Sequence, residues 1–67
     1  MRCSEAAFWI KKYLAYAEQR IVDEGGENPS RERINLINDI DKHIMELGYI
    51  EDDLIFLEQN DYLLEVL

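Results

Sequence analysis

Gly25-Gly26 followed by Asn28-Pro29 cuts this chain into amphipathic stretches, and that punctuation restricts the fold more than any other feature. Glycine takes the left-handed conformation that closes a helix without strain, while Asn followed by Pro supplies an N-cap and a first helical residue. On the N-terminal side, Ala7, Ile10, Leu14, Ala17 and Ile21 recur at spacings of three and four, which stacks them on one side of a helix. With Ser4 as N-cap and Glu5 in the first turn, the pattern predicts a helix over about 4–24. On the other side, Ile37, Ile40, Ile44 and Leu47 repeat the spacing as far as Gly48, predicting a second helix over about 29–47. A linker of about five residues between two such helices favours an antiparallel hairpin.

Beyond Gly48, an Asp52 or Asp53 cap predicts a third helix over about 52–66, although Asn60-Asp61 weakens its middle. The expected fold is therefore all-α: a hairpin and a C-terminal helix forming a small three-helix bundle within one domain, 1–67. Sixty-seven residues bury a smaller fraction of their surface than a larger domain does, so some reinforcement is expected. A disulfide within the chain is excluded, because Cys3 is the only cysteine. The apolar arcs exceed the width that a self-contained bundle can bury, which predicts a homo-oligomer, a dimer or higher.

Charge narrows the partners. Seven Lys and Arg against fifteen Asp and Glu give a net charge of −8, which repels nucleic-acid backbones and anionic lipid heads. Neither direct nucleic-acid binding nor membrane association is expected, and no apolar run approaches the roughly 20 residues of a membrane-spanning helix. The start of the chain predicts no signal peptide, and a lone thiol fits a reducing, cytoplasmic setting. The acidity is unevenly placed: residues 1–42 hold seven basic and eight acidic side chains, while 43–67 hold seven acidic and none basic.

Placed at about 100° per residue, Glu51, Glu58, Asp61 and Glu65 fall on one helical stripe, with Asp52 and Asp53 close by. Such a row predicts docking on a basic groove of a partner protein, including a nucleic-acid-binding protein or nuclease captured by mimicry, the logic of short acidic inhibitors from phages and mobile elements. Trp9, Tyr13 and Tyr16 form an aromatic row beside the first seam, and Phe56, Leu63, Leu64 and Leu67 crowd the C-terminal third. These seven are the candidate apolar interface.

Chemistry is poorly supported. His43 shares a helix side with Asp39 and Glu46, a conceivable metal triad, but three ligands from a single helix lack the support of the usual site. A solvated polar face is the expected reading, with neither metal nor cofactor. No threonine, no glycine-rich phosphate loop and no Ser or Cys outside the helix starts suggests a nucleophile. The sequence thus predicts a non-enzymatic, regulatory or inhibitory protein-binding module. A self-associating assembly subunit is the alternative, and a metal or small-ligand binding bundle the remote one.

Overall fold

A computed structural model describes residues 1–60 and Glu65. Two helices account for most of these residues: α1, Cys3–Gly25, and α2, Arg31–Gln59. They run side by side as a hairpin. The turn forms where the glycines stand, with Gly26 at φ +66°, the left-handed value that only glycine adopts freely. Gly25 has a second role. A Cβ there would lie 2.6 Å from the Arg33 side chain, which crosses this point so that Nη1 can donate to the Ile21 carbonyl at 2.8 Å. That hydrogen bond ties the first turn of α2 to the last turns of α1.

The caps differ from the sequence reading in detail. Ser30, one residue after Pro29, caps α2: its Oγ accepts from the Arg33 backbone N–H at 3.2 Å. Arg2 occupies the N-cap position of α1 and makes no side-chain cap, so Ser4 is free to reach across to α2.

The predicted third helix is not present, and the three-helix bundle is corrected to a two-helix hairpin. Residues 49–51 are helical, and 52–59 are the last two turns of α2. The expected break at Gly48 fails because that glycine does not adopt a positive φ. The inward-facing positions run through it without a change of phase: Arg33, Ile37, Ile40, Ile44, Leu47, Glu51, Leu54 and Glu58 alternate at spacings of four and three. One unbroken helix keeps all of them against α1, and that packing outweighs the cost of about 1 kcal/mol for a glycine in a helix interior. The remainder of the predicted 52–66 helix, including Asp61, Leu63 and Leu64, lies outside the described residues apart from Asn60 and Glu65, and so does Leu67.

The α1 seam is also rotated from the expected one. Its inward residues are Ser4, Ala7, Lys11, Leu14, Glu18, Ile21 and Gly25. Ile10 and Ala17, expected at the contact, are exposed on its flank. The hairpin is long and thin, 49 × 18 × 14 Å, with a radius of gyration of 15.1 Å. A compact chain of this length would have a radius of about 11 Å. Only Ala7 and Ile40 among the described apolar residues are buried, and no described large side chain is fully enclosed.

Continuity through Gly48 is directly testable. Space around its Cβ position is open, so Gly48→Ala should stabilise the protein by about 0.5–1 kcal/mol, raising Tm by about 4–8 °C per kcal/mol in a chain of this size. An unchanged or lowered Tm in a circular-dichroism melt would indicate that the glycine interrupts the helix.

Candidate functional site: the outer surface of the hairpin

Every second inward position of α1 is polar or glycine, and this decides which carboxylates remain available to a partner. Ser4 Oγ donates to Glu58 Oε2 at 2.7 Å, while the Ser4 backbone N–H donates to Oε1 of the same carboxylate at 3.2 Å. Two inward positions further along α1, Lys11 Nζ donates to Glu51 Oε1 at 2.6 Å, with side chains 30% and 16% exposed. The hydrogen bond from the Ser4 hydroxyl holds the Glu58 carboxyl below its ordinary pKa. The Ser4 N–H and the Arg2 charge act in the same direction, against an opposing effect of partial desolvation. Near the middle of the hairpin, Glu18 shares a hydrogen bond with the Asp41 carboxyl, which raises its pKa. Desolvation and the Asp41 charge add to the rise.

These pairs dissolve the predicted acidic stripe as one exposed surface. Glu51 and Glu58 turn into the seam, and Glu65 pairs with the N-terminal ammonium group at 3.6 Å and forms a β-bridge with Arg2. Asp52 and Asp53 are exposed on α2, and Asp61 lies outside the described residues. A different row emerges on the solvent side. Glu32, Asp39, Glu46 and Asp53, each seven residues from the next, are all exposed and follow one line along α2. The period of seven is written in the sequence, but it becomes visible as a row only once α2 is known to be continuous through Gly48.

The predicted aromatic row is on the surface. Trp9, Tyr13 and Tyr16 are all exposed, Tyr13 at 65%, with Trp9 stacked edge-on to Phe8 at 5.5 Å and tilted against Tyr13 at 6.1 Å. Lys11 and Lys12 place their ammonium groups 5.9 and 5.4 Å from the Phe8 ring centre, a cation–π arrangement that partly shields the ring. Phe56 is exposed on α2, whereas Leu63, Leu64 and Leu67 are not among the described residues.

The exposed apolar residues fall on both sides of the seam. Residues that directly follow the seam positions Ala7, Ile21, Arg33 and Leu54, namely Phe8, Val22, Ile34 and Ile55, form one flank. Asp41 sits in the middle of it. Phe8 and Ile55 line a shared cleft of about 340 Å³ with Ser4 and Glu51. Residues that directly precede Lys11, Glu18, Ile37, Glu51 and Glu58, namely Ile10, Ala17, Leu36, Ile50 and Leu57, form the other flank. In an antiparallel pair, equivalent positions of both helices share a side. The lining of a second cleft by both Glu24 and Leu36 agrees with this.

His43 Nδ1 lies 3.5 Å from Glu46, both half or more exposed, and among the described residues no three His, Cys, Asp or Glu side chains converge as metal ligands. No described helix is long and apolar enough to cross a membrane. The chain matches no protein-family model, no curated protein and no solved structure.

The polar seam makes a prediction of its own. Lys11→Met leaves the largely buried Glu51 carboxylate without its counter-charge and should cost about 1–3 kcal/mol. Lys11→Met combined with Glu51→Leu should return stability to within about 1 kcal/mol of wild type, measured by urea unfolding. A loss in the double variant equal to the sum of the losses in Lys11→Met and Glu51→Leu alone would show that the two side chains are not coupled.

Proposed function

We propose that this chain is a non-enzymatic protein-binding module, acting as a regulator or inhibitor that docks an acidic and apolar helical surface on a basic site of another protein. The observation that carries this reading is the exposed row Glu32, Asp39, Glu46 and Asp53, flanked on the same hairpin by unburied apolar side chains. Charge of one sign along a rigid helix gives fast, oriented encounter with a surface of the opposite sign, and desolvated apolar contacts then hold the complex.

Charge density favours a basic protein patch over mimicry of nucleic acid. Seven residues of helix rise about 10.5 Å, so the row offers one carboxylate per roughly 10 Å, against one charge per about 1.7 Å of duplex DNA. A few Lys or Arg side chains spaced along a helix or groove match it better than a phosphate channel does.

Reversing Glu58 would damage the seam through its contact with Ser4, so the informative variant neutralises the outer row: Glu32→Gln, Asp39→Asn, Glu46→Gln and Asp53→Asn. In pull-downs from lysate of the source organism at about 0.1 M salt, wild type should retain a protein that the neutralised variant loses. Salt at about 0.5 M should release the same protein, because screening then acts within about 4–5 Å. Retention of that protein by the folded variant, with an unchanged salt response, would sink the acidic-docking reading.

A further inference from the structure

We infer that a second copy of this chain covers the flank formed by Ile10, Ala17, Leu36, Ile50 and Leu57, closing two hairpins into a four-helix bundle with α1 of each copy stacked on α2 of the other. The inference rests on the reading above only in assuming that the hairpin acts through protein contacts.

Area supplies the first argument. A standard stable interface removes roughly 800 Å² per partner from water. One broad side of a 49 × 18 Å hairpin is enough to supply it. Two buried small or medium apolar residues do not make a core, but two such flanks face to face would.

Charge selects the flank. The side carrying Phe8, Val22, Ile34 and Ile55 has the Glu18–Asp41 carboxyl pair at its centre, and burying that pair against an identical pair would place four carboxyl groups together without a cation. The side carrying Ile10 and Ile50 has no carboxylate between its ends. Ala17 and His43 occupy its middle, and Glu24 lies at the turn end.

Charge also selects the stacking. Two hairpins can meet with like helices superposed or with α1 over α2. On α2 this flank is bordered by Glu32, Asp39, Glu46 and Asp53; on α1 it is bordered by Ala6, Tyr13 and Arg20. Superposed like helices would set one acidic row against its own copy, a juxtaposition that is strongly unfavourable. Placing α1 over α2 sets the acidic row beside Tyr13 and Arg20 of the other copy. Residues at equal height have numbers that sum to about 62, as Ser4 with Glu58 and Lys11 with Glu51 show, so Arg20 of one copy comes within one helical turn of Asp39 of the other.

Sedimentation equilibrium at about 10–100 µM should give a mass near twice 8.0 kDa, the range in which micromolar dimers are well populated. Ile50→Asp should shift the mass to that of the monomer, and Ile55→Asp, on the opposite flank, should not. Arg20→Glu and Asp39→Arg should each weaken the dimer at least about fivefold, and their combination should restore it. That rescue keeps the test decisive if Ile50→Asp fails to fold. A monomer at 100 µM, dimers that survive Ile50→Asp, or a charge swap without rescue would each overturn the inference. Loss of the dimer with a captured partner protein retained would leave the docking reading intact, while loss of that partner from a dimeric variant neutralised only at Glu32, Glu46 and Asp53, with Asp39 kept for Arg20, would identify the acidic row as its contact.

Discussion

The arrangement of this hairpin depends on polar residues placed where two helices meet. Ser4 and Lys11 occupy inward positions of α1, and each is satisfied by one carboxylate of α2, Glu58 and Glu51. Moving α2 by one turn would leave Lys11 and both carboxylates at a partly desolvated contact without their partners, and an unpaired polar group at such a place costs more than a made hydrogen bond contributes. The pairs therefore fix the register more than they stabilise the fold. Apolar layers between and beyond them, Ala7 with Leu54, then Leu14 and Ile21 among Ile37, Ile40, Ile44 and Leu47, supply the attraction.

That division of labour leaves the hairpin with a narrow, partly polar seam and an apolar exterior. Trp9, Ile10, Tyr13, Tyr16, Leu36, Ile50 and Phe56 all stand outside the contact between the helices. Isolated apolar residues on a surface are ordinary, and it is the contiguous ones on a structure this thin that motivate the proposed contact with a second copy. The outer acids have a complementary effect: in the proposed dimer they disfavour arrangements that bring identical rows together.

Much of this was legible in the sequence. Gly25-Gly26 and the Pro29 region mark the turn, and the three-four spacing of Ile37, Ile40, Ile44 and Leu47 marks the α2 seam. Two features were not. Gly48 reads as a stop because local propensity is visible in a sequence, whereas the α1 face that holds α2 straight through that glycine is not. The α1 seam reads one step off because Ile10 and Ala17 are more apolar than Lys11 and Glu18. Only the opposing residues, with Glu51 across from Lys11, make the polar choice favourable. The same holds at the candidate site: Glu51 and Glu58 look like surface carboxylates until their α1 partners are known, and the row from Glu32 to Asp53 emerges only on an unbroken helix.

In the proposed dimer the seam supplies only part of the cohesion, and the flank covered by the second copy supplies the rest. Thermal unfolding followed by circular dichroism over a hundredfold range of protein concentration tests this most directly, since folding linked to self-association makes Tm depend on concentration. The account predicts a Tm that climbs steadily with concentration. A cooperative, reversible transition with the same Tm throughout would contradict it, and would show that two thin helices with a half-polar seam are sufficient.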